Sequence, residues 1–421
     1  MQITILTVGT RGDVQPYVAL GAGLRAAGHQ VTVATSAHFA GFIAERGLRP
    51  ATLSLDAMEM METAEGRAAL GGKGILSLIK RMRPVMRQIL DEGWAASQGA
   101  DLIIYNPKAL SGYHVAEKLG TPALIAHPAP VLAPTAAFPM PALPATNLGP
   151  LNKLSYKLVL SASQGPFGGL INEWRREVLG LPPVKSERLL RGQPIPILYG
   201  FSPLVVPPPP DWDETVRVTG YWFLDRPDSW QPPADLARFL AAGPPPVYIG
   251  FGSMAGRDAT QTSAAVLEAV RRAGVRAVLA TGVGGLEATS EGDIFALKEA
   301  PHDWLFPQMA AVVHHGGAGT TGAALRAGRP QLICPFFADQ PFWGHRVAAL
   351  GVGPRPIPQK RLSADRLAAA LATLTADAAM AGRAAELGAQ IWAEDGVGRA
   401  VELVEAGGVR RRGAERAEVF M

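Results

Sequence analysis

A chain of 421 residues, 48% hydrophobic and 18% charged, is long enough for two ordinary domains with a core each, and its composition excludes a disordered or fibrous protein. The formal net charge of +4 is small, and much of the basic excess falls in the tail at 410–416, so no nucleic-acid-binding stripe is present. A single cysteine, Cys334, excludes an internal disulfide framework and fits a reducing, cytoplasmic setting.

The first residues, MQITILTVG, lack a basic leader and read as a strand from Ile3 to Val8 rather than a signal peptide. The run GTRGDVQPYVALGAGLRAAGH then predicts a glycine turn and a helix whose Val18, Leu20 and Leu24 face a sheet, and Gln30 to Thr35 predicts a second strand. Strand, helix, strand is the opening of a parallel, doubly wound α/β half. Arg11 and Asp13 fall at the carboxyl end of the first strand, the end where open α/β sheets bind ligands. A carboxylate there stands where a ligand would bind, or else pairs with Arg11 or caps the helix.

From Gly71 to Gly93, apolar residues including Met82 and Met86 alternate with Lys80, Arg81, Arg83 and Arg87. The pattern predicts a core-facing helix with solvated cations; it would also suit an apolar substrate lining or a weak membrane-surface contact. Asp101 to Tyr105 and Pro122 to Ala126 read as further strands. The apolar stretch from Pro122 to Pro144 is broken by prolines and cannot span a bilayer. It reads instead as a long loop running to Asn147, in which Phe138 and Met140 offer apolar surface to an acceptor.

Ile197 to Phe201 reads as the last strand of this half, followed by a stiff connector, SPLVVPPPPDWDE. The expected domains are 1–205, a linker at 206–225, and 226–421, with return of the last helix to the first domain left open. Asp211, Trp212 and Asp213 resemble an acidic metal motif but have no supporting ligand, so they read as surface charge and no metal site is assigned. The second half repeats the order: a strand from Pro246 to Phe251, a turn at Gly252-Ser253-Met254, a helix from Ala265 to Arg272, a strand from Ala277 to Thr281, then APHDWLFPQ. Helices follow from Ser363 to Leu374 and onward to Val404.

Between them lies the most informative stretch, VVHHGGAGTTGAALRAGRPQLICPFFADQ, 312–340. It is strand, glycine turn, helix, and the free N–H groups of such a helix suit a phosphate. Gly317, Gly319 and Gly322 also satisfy G-x-G-x-x-G with Asp339 downstream, which keeps an NAD(P)-dependent oxidoreductase as an alternative. His314 reads as the buried, structural member of its pair, and His29, His38, His114, His127 and His345 as structural or surface.

Taken in order, GTRGDVQPY, GFGSM, APHDWLF, HHGGAGTTGAALRAG and PFFADQPFWG resemble the family 1 glycosyltransferases of GT-B fold. Within that family they are similar to the bacterial and fungal type that includes sterol 3-β-glucosyltransferases and the glycosyltransferases of glycopeptide antibiotics. The resemblance covers nearly the whole chain and implies two Rossmann-like domains facing across a cleft. It implies inverting transfer of a hexose, glucose first, from a UDP-sugar to an apolar sterol, macrolide or polyphenol, with no cofactor beyond that co-substrate and no metal.

Carried over by position, Asp13 is the base, and Thr10, Arg11 and Gly12 shape its loop against the donor. Gly252 and Ser253 lie beside the donor phosphates, and His302 lies by the nucleoside. His315, Gly317, Ala318, Gly319 and Thr320 hold the diphosphate, and Asp339 and Gln340 the hexose hydroxyls. Plant members use a His as base where this chain has its Arg11 to Asp13 loop, and their nucleobase-stacking Trp does not align with Trp304, so no stacking residue is assigned. A non-catalytic binding protein on the same fold is the remaining alternative. The oligomeric state is left open.

Overall fold

The computed structural model describes residues 1–54, 75–184, 186–187, 189–252, 259–282 and 286–418; residues 71–74, Ser253 and Met254 of the expectations above lie outside them. The first sheet is built from β1 (Gln2–Leu6), β2 (Gln30–Thr35), β3 (Arg49–Thr52), β4 (Leu102–Tyr105), β5 (Ala123–His127), β6 (Ile197–Tyr199) and β7 (Val216–Val218). Their order is β3-β2-β1-β4-β5-β6-β7, parallel throughout. The second sheet has β8 (Val247–Gly250), β9 (Ala277–Ala280), β10 (Ile294–Leu297), β11 (Ala311–His314) and β12 (Gln331–Ile333). It runs β10-β9-β8-β11-β12, again parallel.

Both sheets are covered on both faces, and the inner strands β4, β8 and β11 are accordingly buried at every position rather than at alternate ones. Along β1, Ile3 and Ile5 enter one core while Leu6 and the following Val8 enter the other. The first of these cores packs against α1 (Arg11–Ala26); the second packs against α2 (Ile75–Ala96), α3 (Gly112–Leu119) and α4 (Gly168–Trp174). Fully burying one such aliphatic side chain contributes about 1.5–3 kcal/mol. In the second domain Val247, Ile249 and Phe251 enter one core and Tyr248 the other.

Two expectations change. Val216–Val218 pairs with Ile197–Tyr199, so residues 206–225 are more than a linker and Ile197 to Phe201 is not the last strand of the half. The prolines do interrupt the sheet, but the β-branched run Thr215-Val216-Arg217-Val218-Thr219 behind them rejoins it at its edge. The helix α5 (Gly396–Glu418) lies on the first domain, with Ala400, Val401 and Val404 buried beside Leu20 and Leu24 of α1.

Asp211 does not act as a ligand group. Burial works to raise its carboxyl, but hydrogen bonds from Thr135 Oγ1 (2.7 Å), Ala136 N (2.9 Å) and Lys153 Nζ (3.0 Å) hold it down to about 2. No group of three metal-ligating side chains occurs among the described residues.

Candidate active site

In each sheet the strand order reverses once, at β1/β4 in the first and at β8/β11 in the second. The crevice outside such a switch point is where a doubly wound sheet accepts a ligand. Four loops leave these strands, and the residues that the sequence singled out near a donor lie on or just after them, except His302, which follows β10, and Asp339 and Gln340, which follow β12.

On the first domain, β1 leads through Gly9 into α1, and Asp13 is the third residue of that helix. Its Oδ2 accepts from Thr10 N at 3.1 Å and from Thr10 Oγ1 at 3.3 Å, closing a capping box. The turn requires glycine. Gly9 sits at φ +145°, and a Cβ there would fall 2.3 Å from Asp13 Oδ2. Asp13 Oδ1 accepts from Lys108 Nζ at 2.5 Å. Capping, the alternative weighed on sequence grounds, is therefore real, and it uses Oδ2 while the second oxygen is bonded to Lys108. Arg11 does not pair with Asp13: its Nε donates to Gln15 Oε1 at 3.1 Å and its guanidinium lies 5.0 Å from the Phe42 ring.

Lys108 is a residue that sequence reasoning missed. It stands in the turn after β4, where Asn106 Oδ1 accepts from Lys108 N at 3.0 Å. The signal was available in Asn106-Pro107, a turn dipeptide directly behind a buried strand. His127, read as structural, ends β5 on the same rim and bonds Ala129 through Nδ1 at 3.0 Å. Burial first, then the Lys108 cation, bring it down to about 4.

On the second domain, β11 ends in His314 and turns through Gly316 and Gly317 into α6 (Ala318–Arg326). His314 is fully buried. Gly316 N donates to its Nδ1 at 3.1 Å, which fixes the proton on Nε2, where it is shared with Gln331 Oε1 at 2.7 Å. His314 thus holds the turn, and Gly316, at φ +96°, could not carry a Cβ without meeting Ile333 at 2.6 Å. Thr321 N is the first to bond back, to Gly317 O at 2.9 Å. The N–H groups of Ala318, Gly319 and Thr320 therefore point out of the helix end, carrying its positive partial charge.

The His315 ring lies against Gly252 and Gly317, and its buried Nδ1 has no hydrogen-bond partner. An orphaned buried nitrogen costs about 1–3 kcal/mol unless a ligand completes it. Burial favours the neutral ring, lowering its pKa to about 4. His302 stacks on Phe306 at 4.2 Å between centroids, and burial followed by the nearby Arg11 cation lowers it to about 4. Arg11 and His302 belong to different domains, so the two crevices face each other. Trp304 instead packs on Trp230, at 5.1 Å.

Asp339 is the first residue before α7 (Gln340–Ala349), but its carboxylate does not cap that helix. Trp343 Nε1 donates to Asp339 Oδ2 at 2.7 Å. Burial raises its pKa, while the Trp343 bond and Lys108 act against the rise. Gln340 Oε1 accepts from Phe336 N (2.8 Å) and Phe337 N (3.4 Å), so what Gln340 can offer a sugar is its amide nitrogen. Between them Ala338 takes φ +55°, a left-handed conformation rare for alanine and held by this loop.

The acceptor residues divide. Met82 is partly exposed, but Met86 lies in the core with Ile89 and Leu90, and Met140 is buried with its Sδ accepting from Ala142 N at 3.2 Å. Neither buried methionine presents a surface, because the helix and the proline loop each turn that side chain inward. Phe138 is partly buried and bridges the domains, 5.3 Å from the Phe342 ring and 6.5 Å from Trp212. Arg83 and Arg87 are not free cations for a membrane: they pair with Glu173 (3.3 Å) and Glu177 (2.8 Å). No helix among the described residues is long and apolar enough to cross a membrane.

Residues 3–138 match the glycosyltransferase family 28 N-terminal domain, and residues 290–403 match the C-terminal domain of erythromycin biosynthesis protein CIII-like proteins. Sterol 3-beta-glucosyltransferases of Cryptococcus neoformans and Emericella nidulans are 39% identical over 431 and 419 residues, 96% of this chain. The chain belongs to the GT-B glycosyltransferases. It spans 27% and 30% of the length of those two fungal relatives. Among solved structures, the kitacinnamycin glycosyltransferase superposes with a TM-score of 0.72 at 22% identity, covering 96% of this chain and 98% of its own. A Streptomyces sp. SF2575 glycosyltransferase complexed with thymidine diphosphate gives 0.61 at 22% identity, covering 96% and 99%. The GT-B architecture removes the nicotinamide reading of the glycine turn: Gly322, its third glycine, packs on the Tyr221 ring, and Asp339 stands before a helix instead of ending a strand.

Proposed function

We propose that this GT-B enzyme transfers a hexose, glucose first, from a UDP-sugar to the hydroxyl of an apolar small molecule, a sterol above all, with inversion and without a metal ion. The observation that carries the reading is the pairing of the two crevices. On one side Asp13 stands at the end of β1 with its Oδ1 bonded to Lys108, and on the other the α6 N-terminus lies beside His315, whose buried Nδ1 has no hydrogen-bond partner. In the step this supports, the acceptor O–H proton passes to Asp13 as the acceptor oxygen bonds the anomeric carbon. The bond from that carbon to the diphosphate oxygen breaks, and its electron pair leaves with the diphosphate. Negative charge arriving there meets three helix N–H groups and an imidazole already in place, which is electrostatic stabilisation without reorganisation. With Asp339 tied to Trp343 and assigned to the sugar hydroxyls, no second carboxylate attacks carbon, so a single displacement inverts the centre.

Sterol and glucose are supported by the names of the fungal relatives, and the thymidine diphosphate complex of a structural relative makes the base of the nucleotide a real choice. The test is turnover of UDP-glucose, UDP-galactose and dTDP-glucose against a sterol, a macrolide and a polyphenol, with and without EDTA. UDP-glucose with a sterol is expected to turn over, to be unaffected by EDTA, and to give the inverted product. Loss of activity in EDTA restored by Mg²⁺ or Mn²⁺ would refute the metal-independent mechanism. UDP binding with no transfer to any acceptor would point to the non-catalytic reading.

A further inference from the structure

We infer that Lys108 is a positioning residue for the transfer, holding the cleft-facing oxygen of Asp13 so that its remaining lone pair is aimed at the acceptor hydroxyl. The inference rests on the reading of Asp13 as base and extends it to a second strand end.

The contact is between neighbours at the switch point. Leu6 of β1 stands opposite Tyr105 of β4, and Asn106 N donates to Leu6 O at 2.9 Å, so the two loops leave the sheet side by side. Asn106 is fully buried, and its side chain closes the short turn that returns Lys108 toward α1. Lys108 Nζ then donates to Asp13 Oδ1 at 2.5 Å. The helix does not need this bond, because its cap is complete on Oδ2 alone. Nor does stability explain it: the Lys108 side chain is 55% exposed, and a pair so open to water contributes about 0.2–1 kcal/mol.

What the bond does is geometric. A carboxylate oxygen has two acceptor directions; with Lys108 on one of them, a single direction remains, and it is fixed relative to the cleft. The cation also stands where two acids of opposite domains meet. Partial burial pulls its pKa down, but Asp13, reinforced at longer range by Asp339, more than restores it. Asp339 feels Lys108 as an attraction and Asp13 as a repulsion. The ammonium thus acts on both acids, bonded to Asp13 and attracting Asp339 across the cleft.

The test is a double-mutant cycle between Lys108→Met and Asp13→Asn, with Lys108→Arg as the conservative variant, under saturating UDP-glucose and sterol. Lys108→Met is expected to lower kcat by about 10- to 100-fold, the scale of a misaligned reacting group. UDP affinity and the donor KM should stay within about twofold, and Lys108→Arg should recover most of the loss. In the Asp13→Asn background the Met substitution should cost almost nothing more, since a lysine acting through Asp13 has nothing left to position. Unchanged kcat in Lys108→Met, or losses that simply multiply in the double variant, would overturn the inference while leaving the Asp13 reading intact. Near-normal turnover by folded Asp13→Asn would instead remove the reading beneath it.

Discussion

Asp13→Asn is the perturbation with the most to say. The structure fixes how the amide must sit, because both carboxylate oxygens now accept from donors. If the Asn oxygen keeps the Thr10 bonds, the amide NH₂ faces the Lys108 ammonium, donor against donor, and Lys108 swings out to solvent. The capping box survives in part, and the cost to folding is that of one half-exposed ion pair, about 0.2–1 kcal/mol. Loss of a general base is far larger, about 10²- to 10⁴-fold in rate, or about 3 to 5 kcal/mol of transition-state stabilisation. Turnover of UDP-glucose with a sterol, UDP affinity by calorimetry and melting temperature should be measured on the one variant. The expected pattern is a large fall in kcat, little change in UDP affinity and a small shift in melting. Folded Asp13→Asn retaining near-normal turnover would refute the assignment and leave Asp13 as a helix cap alone.

Gly9→Ala should act on the same centre without touching its chemistry. A Cβ 2.3 Å from Asp13 Oδ2 forces the carboxylate aside, so kcat should fall by at least about 10-fold at unchanged UDP affinity, and normal kcat would contradict the turn geometry. His315→Phe removes an orphaned buried nitrogen, so the unliganded protein should melt no lower than wild type, while UDP affinity drops about 10- to 100-fold; calorimetry and a melt in the absence of ligand check both halves. Phe138→Ala is expected to raise the acceptor KM and to cost about 1–2 kcal/mol through lost packing on Phe342 and Trp212, at unchanged UDP affinity; unchanged acceptor selectivity would move the pocket elsewhere.

Stability should also depend on pH. His127, His302 and His315 are each lowered by burial from 6.5 to about 4, and His314 to about 3, so between these values the unfolded chain binds protons that the folded protein refuses. Their stabilisation is fully present above pH 6.5 and is lost as the pH falls toward 4, by several kcal/mol in sum. The raised carboxyls of Asp339 and Glu394 oppose this only in part. Denaturant melts from pH 7 to pH 4.5 should show the decline, and a flat profile would mean that the four rings are not held neutral.

Much of the fold was legible because buried parallel strands are short, mostly apolar runs that end in glycine turns. Ile3 to Val8, Pro246 to Phe251 and the run before His314 all have this form, and all three became strands at or beside a switch point. The seventh strand was hidden behind four prolines, since the local stiffness of Pro207 to Pro210 says nothing about pairing a few residues later. The same limit applied to the site. Glycine turns mark where a ligand approaches the backbone, which is how 312–340 declared itself. Asn106-Pro107 marks a turn before Lys108 but not a partner: what Lys108 reaches depends on β4 lying beside β1, a fact of topology that no local pattern contains. Met86 and Met140 failed for the converse reason, because an apolar side chain on a helix or loop looks the same in sequence whether it faces a substrate or the core.

The helix α5 has a bearing on how the molecule is made. Val397 and Val401 lie against Gly23 of α1, and the core that begins with Ile3 and Ile5 is closed by Ala400, Val401 and Val404. During synthesis the first domain emerges early and carries Asp13 with it, yet one face of α1 stays uncovered until the second domain has been completed. The nascent chain therefore leaves that apolar face of α1 without its partner until residues 397–404 have been made. A ribosome stalled before residue 397 would display a first domain still waiting for its final piece.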